Sequence, residues 1–170
     1  LGVFNFSANY NNISDAFMNK ERMKCSYVKN PSPITMWEDQ TDLKKILSPI
    51  WRLHPKSDIP LKNNTYLEGM RVGAYFATQF KPSVAKAFYD ITNAKKVLDT
   101  SSGWGDRLAG FFASNAKEYY GMDPNGDLHE NYYKMAVQYN NWLGSDDPKT
   151  SFGDDWFSVE GEKKVKIYKY

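Results

Sequence analysis

The stretch VLDTSSGWGDRL, residues 97–108, combines an acidic residue with two glycines one residue apart. Gly103 and Gly105 would let the backbone turn sharply and let a ligand approach without a Cβ in the way. The helix predicted to follow would contribute free amide groups and the positive end of its dipole. Asp123 follows some 20 residues after the turn, where a carboxylate can accept both ribose hydroxyls of a nucleoside. The pattern predicts a nucleoside site that includes Asp99 and Asp123.

The charges of these residues discriminate between nucleoside cofactors. A nicotinamide dinucleotide fingerprint requires a third glycine where Leu108 stands. Asp99 would also place a carboxylate beside the path of the pyrophosphate. The amino group and sulfonium of S-adenosylmethionine are cations, and that ligand carries no phosphate. The residues therefore favour S-adenosylmethionine over NAD.

Three segments resemble motifs of amino-directed DNA methyltransferases of phage or bacterial type. Val-Leu-Asp-x-x-x-Gly-x-Gly is similar to their first motif, commonly Asp-Pro-Phe-x-Gly-Ser-Gly, although Thr100 and Ser101 replace the Pro-Phe pair. The run Gly-Trp-Gly-Asp-Arg-Leu at 103–108, followed by Tyr-Gly-Met-Asp-Pro-Asn at 120–125, looks like a phage- or bacterial-type methylase-like subgroup. Thr-Gln-Phe-Lys-Pro at 78–82 resembles the Phe-x-Pro segment before the first motif. The resemblance covers about residues 70–140.

The resemblance implies roles for individual residues. Asp99 would hold the methionine amino group, directly or through water, and Asp123 would accept the ribose hydroxyls. Phe80 and Pro82 would cover the methionine tail, the glycines would lie under the methionine and ribose, and residues 124 and 125 would lie beside the adenine. The implied cofactor-binding set is Phe80, Pro82, Asp99, Ser101, Gly103, Trp104, Gly105, Asp123, Pro124 and Asn125.

Two neighbouring side chains also have structural interpretations. Trp104 would equally suit packing inside the protein. Arg107 would equally suit an ion pair with Asp106 or Asp123.

The residues that would carry methyl transfer are not recognisable. In the amino methyltransferases an Asp/Asn/Ser-Pro-Pro-aromatic motif after the fourth strand polarises the amino group and stacks the flipped base. No Pro-Pro pair occurs in this chain, and Asn30-Pro31-Ser32-Pro33, the nearest imitation, is not preceded by an apolar strand. The catalytic residues are therefore unknown. We expect the sequence to be a fragment that ends before the fourth strand.

Helix and strand signals alternate in the part of the chain that carries these motifs. Residues 1–75 have an irregular pattern with short helical signals, from Ser14 to about Lys24 and from Asp42 to Leu47. Residues 76–170 form the predicted cofactor-binding half of a methyltransferase domain. The elements predicted there are a helix from Pro82 with an apolar stripe of Val84, Ala85, Ala87, Phe88 and Ile91, a strand from Lys95 to Asp99, a helix from Asp106 to Ala116, a strand from Glu118 to Met122, a helix from Asp127 to Trp142, a polar loop from Leu143 to Asp155, and a third strand from Val165 to Tyr168.

This alternation predicts an α/β domain with a mostly parallel sheet and right-handed crossovers. With the resemblance, it implies the first half of a three-layer, Rossmann-like methyltransferase fold. We expect the first strand to be central and buried on both faces. A strand-order reversal beside it would open the ligand crevice at the glycine turn. We expect that Tyr170 is not the natural end of the gene product; if it is, the exposed edge beside the last strand would be covered by the N-terminal extension or by a second copy of the chain.

Composition excludes several other classes. The chain has 170 residues, 41% of them hydrophobic and 16% aromatic, which is typical of a packed domain. One cysteine and two histidines exclude an internal disulfide and argue against a metal site. A net charge of +2 gives no broad signature of nucleic-acid binding. Since no apolar stretch reaches the roughly 20 residues of a membrane helix and no secretory signal is visible, we expect a cytoplasmic protein without a membrane partner.

The leading interpretation is a fragment of an S-adenosylmethionine-dependent methyltransferase that acts on an exocyclic base amine, with DNA ahead of RNA as the partner. A second interpretation is a catalytically inactive binding or interaction module with a possible homodimer through the sheet edge. A dinucleotide oxidoreductase is a third interpretation, disfavoured by Leu108 and Asp99.

Overall fold

A computed structural model describes residues 11–53, 69–71 and 73–170 of the chain. The described chain divides into two compact units. The first comprises residues 11–19 together with Gln79–Tyr170, and the second comprises Lys20–Thr78. Residues 1–10, 54–68 and 72 lie outside the described part, and so do the corresponding parts of the irregular extension predicted for residues 1–75.

The first unit is built on a five-stranded mixed sheet. Its strands are β1 (Lys96–Asp99), β2 (Glu118–Met122), β3 (Lys149–Phe152), β4 (Trp156–Glu160) and β5 (Lys164–Tyr168). They lie in the order β1-β2-β5-β4-β3. β2 pairs in parallel with both β1 and β5, whereas β4 pairs antiparallel with β5 and β3. The chain is therefore α/β, with parallel pairing confined to three of the five strands.

Helices with described limits are, in order, α1 (Asn12–Arg22), α2 (Pro33–Glu38), α3 (Gln40–Leu53), α4 (Pro82–Ile91), α5 (Asp106–Ala113) and α6 (His129–Trp142), the last preceded by a 3₁₀ turn at Gly126–Leu128. Residues 69–71 and 73 are also helical. No described helix is long and apolar enough to cross a membrane.

The core of the first unit lies on one face of the sheet. Strand residues alternate between buried and exposed or half-buried, as in Val97, Tyr119 and Ile167 on the buried face. These side chains pack with Leu108 of α5 and Met135 of α6, among other buried residues. A period of two with one apolar face is typical of a sheet that is covered on one side.

The second unit has a separate small core, formed by Met36, Ile50, Met70 and Ala74. Helix α2 begins where Ser32 accepts a hydrogen bond from the amide of Thr35 at 3.1 Å. The helix predicted from Asp42 to Leu47 is longer in the structure, where α3 continues through Pro49 to Leu53. Ile50, only 2% exposed, lies in the last turns of α3. Burial of Ile50 helps to offset the backbone hydrogen bond that the proline removes.

The prediction that the first strand is central and buried on both faces is wrong. β1 lies at the edge of the described sheet, and Leu98 is 66% exposed. The apolar pair Val97-Leu98 resembles a buried strand, yet its two side chains point to opposite faces. No strand-order reversal occurs beside β1 among the described strands, so the predicted crevice does not form by that route.

The prediction of an exposed edge beside the last strand is also wrong, because β5 lies between β2 and β4. The predicted polar loop contains β3, and the two antiparallel strands β3 and β4 were not expected. Gly153 and Gly161 lie in the turns that precede and follow β4. Phe157 and Val159 alternate between them with polar residues, a pattern that would have indicated this hairpin.

Smaller differences concern the helices. α5 ends at Ala113 instead of Ala116. The apolar stripe predicted for α4 is only partly buried, since Phe88 and Ile91 are exposed. Ser14 lies inside α1 instead of before it, and its hydroxyl donates a hydrogen bond to the buried Asp106.

Candidate functional site

The glycine turn joins β1 to α5 and is tied to the neighbouring strand. The amide of Ser102 donates to the carbonyl of Met122 at 2.8 Å, which links the turn to the end of β2. Gly103 and Gly105 have φ angles of +60° and +75°. Glycine adopts this left-handed region at little cost, whereas other residues rarely do. The two glycines are therefore required by the backbone path itself.

The two glycines face different surroundings. A Cβ on Gly105 would lie 2.9 Å from Sδ of Met135 and 3.2 Å from Cε of Met18, both in the hydrophobic core. A Cβ on Gly103 would meet nothing closer than the Arg107 side chain, at 3.7 Å. Gly105 therefore permits internal packing, and Gly103 is the glycine with open space beside it.

Asp99 ends β1 and is surrounded by hydrogen-bond donors. It is 8% exposed. Its Oδ2 accepts from the hydroxyl of Tyr119 at 2.6 Å and from Nε of Arg107 at 2.7 Å, and its Oδ1 accepts from the amide of Ser101 at 3.2 Å. Burial of the carboxylate is thus compensated by an opposite charge and by two neutral donors.

The ion pair of Arg107 differs from the prediction, which placed its partner at Asp106 or Asp123. Arg107 forms its ion pair with Asp99 through Nε, and its side chain remains 28% exposed. Its guanidinium also lies 5.5 Å from the centroid of the Phe80 ring. A guanidinium has five N–H donors, so the terminal nitrogens of Arg107 keep donors for a ligand.

Two tyrosines around Asp99 remain protonated at neutral pH. Burial, followed by the negative charge of Asp99, raises the pKa of Tyr89 to about 12. The same causes raise the pKa of Tyr119 well above its ordinary value. Tyr119 therefore acts as a permanent hydrogen-bond donor to the carboxylate.

Asp123 follows β2 directly and is held by backbone amides. It is 5% exposed, and it accepts hydrogen bonds from Gly103 N at 2.7 Å and Asn125 N at 3.0 Å. Each carboxylate oxygen accepts one of these bonds. An ionised carboxylate has about four acceptor positions, of which these amides use two, and the hydroxyl of Tyr132 also interacts with this carboxylate. The side chain is fixed in orientation and retains acceptor capacity.

Tyr132 of α6 stabilises the turn from the other side. Its hydroxyl donates a hydrogen bond to the carbonyl of Gly103. Burial and the nearby charge of Asp123 raise the pKa of Tyr132, so this donor also stays protonated.

The structure brings together Asp99, Ser101, Gly103 and Asp123 from the predicted set. Asp99 pairs with Gly121 in the register of the parallel strands, which places the ends of β1 and β2 side by side. Among the remaining members, Phe80 is half-exposed beside Arg107, and Pro124 and Asn125 are exposed after Asp123. Pro82 is buried at the start of α4. Gly105 faces the core, and Trp104 is half-buried against it.

Sequence reasoning missed Arg107, Tyr119 and Tyr132 as parts of the site. Alternation along β2 could have indicated Tyr119, because it lies two residues before Gly121 and therefore on the same face. Arg107 lies in the first turn of the helix after the glycines, where a long side chain can reach back toward β1. Tyr132 left no signal, since its contact depends on how α6 packs.

Comparison of the chain with known protein families, with curated proteins and with solved structures finds no match. The residues of the site themselves therefore carry any assignment of function. They form two rigidly held carboxylates at the ends of adjacent parallel strands, with an arginine beside one of them.

Proposed function

We propose that this chain binds S-adenosylmethionine at the glycine turn and acts in methyl transfer to an exocyclic amine of a nucleic-acid base, DNA ahead of RNA. The observation that carries the proposal is the placement of Asp99 and Asp123 on either side of Gly103, at the ends of β1 and β2.

The Asp99–Arg107 pair suits the amino-acid end of this ligand. S-Adenosylmethionine carries an ammonium and a carboxylate on the same carbon. Asp99 would accept from the ammonium, and the terminal nitrogens of Arg107 would donate to the carboxylate. The zwitterion adds no net charge to a carboxylate–guanidinium pair, so the half-buried corner stays electrically balanced.

Asp123 suits the ribose. Its remaining acceptor capacity would serve the two ribose hydroxyls, while the amides of Gly103 and Asn125 hold the carboxylate in place. Because these amides have already fixed its orientation, little conformational freedom would be lost when the ligand binds.

The parallel part of the sheet fits the proposal. In a Rossmann-like arrangement, β1, the glycine turn, α5 and β2 form the first crossover unit, and the ligand lies at the carboxyl ends of the strands. The antiparallel pair β3–β4 would be an addition to that arrangement.

The proposed reaction depends on alignment. Bound S-adenosylmethionine would supply an electrophilic methyl group, which the amine of the base would take in a direct displacement. The described residues would contribute binding and orientation, which can account for a large part of such a rate enhancement. No residue of this chain is assigned to polarise the amine.

Isothermal titration calorimetry of the 170-residue chain tests the ligand. We expect S-adenosylmethionine and S-adenosylhomocysteine to bind and NAD to bind much more weakly. Binding of NAD without binding of either adenosyl ligand would contradict the proposal.

A further inference from the structure

A cavity lies in the first unit, between α6 and the β3–β4 hairpin. Its volume is about 250 Å³, and no residue of the predicted cofactor set lines it. Pockets for drug-sized ligands are usually about 300–1,000 Å³, so this cavity is suited to a single ring system instead of a whole cofactor. Its walls include His129, Tyr133, Phe152, Trp156, Phe157 and Lys169.

The walls are mostly aromatic and are held at fixed angles. The ring of Tyr133 lies 5.2 Å from that of Phe152 and 5.7 Å from that of Phe157, measured between centroids. Trp156 folds back over Gly153, where a Cβ would lie 2.2 Å from the indole nitrogen. Only glycine at position 153 leaves room for the indole there. The hairpin turn is therefore shaped to place Trp156 at the cavity.

His129 contributes to one wall and is held in place by a hydrogen bond. Nε2 of His129 lies 2.9 Å from the carbonyl of Asp123, and because a carbonyl can only accept, Nε2 carries the hydrogen. Nδ1 is then an acceptor. It is buried and has no hydrogen-bond partner among the described residues. Because Nδ1 is itself inaccessible to solvent, the contribution of His129 to the cavity is the surface of its ring.

The cavity lining contains one acidic side chain, Glu130, and one basic side chain, Lys169. Glu130, which also lines it, pairs with Lys134 at 2.5 Å. Lys169 has no carboxylate partner within the described residues. An anionic group at the mouth of the cavity would therefore find an ammonium that is not already paired.

We propose that this cavity binds a nucleobase together with its phosphate, as a free mononucleotide or as one nucleotide of a single strand. The base would stack on Tyr133 and Phe152, since every base has a flat face for such contacts. Trp156 would close the side of the site, because Nζ of Lys166 already covers one face of its ring at 3.8 Å from the centroid. Lys169 would pair with the phosphate. The site is distinct from the glycine turn and does not depend on the function proposed there.

The test is to measure the binding of AMP and CMP to the full chain by calorimetry and to map it by NMR chemical shifts. We expect both nucleotides to bind, adenosine and inorganic phosphate to bind more weakly than AMP, and shifts to concentrate at the cavity residues. A pentanucleotide that binds more tightly than AMP identifies a strand as the source, and equal affinity identifies the free mononucleotide. Shifts confined to the glycine turn would overturn the proposal, as would displacement of AMP by S-adenosylhomocysteine.

Two matched pairs of variants distinguish the contributions of stacking and of charge to nucleotide binding from general effects on the protein. Phe152 and Phe88 are 65% and 62% exposed, so Phe152→Ala and Phe88→Ala form a matched pair that leaves the core intact. We expect Phe152→Ala to weaken AMP binding by about 5- to 100-fold and Phe88→Ala to leave it unchanged. Lys169→Gln should remove the preference for AMP over adenosine, whereas Lys149→Gln at the far end of β3 should preserve it. Equal behaviour within either pair would overturn the proposal, and so would no binding of any nucleotide to the wild type.

Discussion

Nε of Arg107 lies 2.7 Å from Oδ2 of Asp99 and neutralises the carboxylate at the end of β1. The sequence suggested that Asp99 offers a free negative charge to a cationic ligand. With Arg107 beside it, the corner instead presents a negative and a positive group together. A ligand with a single positive charge would have to displace the guanidinium, whereas a zwitterion could bind to both.

Arg107→Gln should change ligand preference in a specific way. S-Adenosylhomocysteine has an amino-acid end, and 5′-methylthioadenosine lacks it. We expect the variant to lose about 10- to 100-fold of affinity for the first ligand, since one charged hydrogen bond is removed, and little for the second. The ratio of the two affinities, measured by calorimetry, cancels effects on stability. An unchanged ratio would remove Arg107 from ligand recognition.

The two glycines of the turn should differ in their tolerance of a side chain. Both Gly103→Ala and Gly105→Ala impose a positive φ on alanine, at a cost of about 1–3 kcal/mol. Gly105→Ala also pushes a Cβ toward Met135 at 2.9 Å, so we expect it to destabilise the protein more. Urea unfolding of the two variants measures the difference. Equal losses would mean that the core yields to the extra methyl group.

Local elements of the first unit were predictable, but their arrangement was not. β2 has the predicted limits, Glu118–Met122, because Tyr119 and Gly121 alternate with more exposed residues in a clear strand pattern. The position of β1 at the edge could not be derived, since the two residues Val97 and Leu98 look alike in a central and in an edge strand. Strand order depends on contacts between segments that are distant in sequence, and local patterns carry no information about them.

In the candidate site, likewise, the residues were predictable from local spacing, but their side-chain contacts were not. The spacing of Asp99, Gly103 and Asp123 identified residues that the structure does bring together. The partner of Arg107 was missed, because the choice among three nearby acids depends on the direction in which the side chain leaves α5. Trp104 packs against the core, one of the two interpretations that the sequence left open.

Two adjacent tyrosines on β2 test how much the hydrogen bond to Asp99 stabilises the protein. Tyr119 donates to buried Asp99 at 2.6 Å, whereas Tyr120 donates to Glu118 at the surface. We expect Tyr119→Phe to lower the free energy of unfolding by about 1.5–3 kcal/mol, because a buried carboxylate loses a donor. Tyr120→Phe should cost much less. Equal costs in thermal or urea unfolding would show that the bond to Asp99 adds no stability.

Lys163 should make stability depend on pH in the alkaline range. Its ammonium donates to the carbonyls of Phe111 and Ser114 at the end of α5, at 2.8 and 2.6 Å. Burial lowers its pKa from 10.5 to about 8 in the folded protein. Between these values the unfolded chain binds more protons, so the contribution of Lys163 to stability rises with pH.

The comparison variant for this effect is Lys163→Met, which cannot titrate. We expect the stability of the wild type relative to Lys163→Met to increase from pH 8 to pH 10 in urea unfolding, while other titrating groups cancel in the difference. A difference that stays constant or falls over this range would contradict the lowered pKa.

The central claim is that Asp123 holds the ribose of S-adenosylmethionine, and one comparison by calorimetry tests it most directly. The measurement is the affinity of S-adenosylhomocysteine for the wild type, for Asp123→Asn, and for Asp127→Asn, which changes an exposed acid nearby. The account predicts binding to the wild type and to Asp127→Asn, and a loss of about 10-fold or more in Asp123→Asn, since a charged acceptor is lost. Equal affinity in all three proteins, or no binding to the wild type, would contradict it.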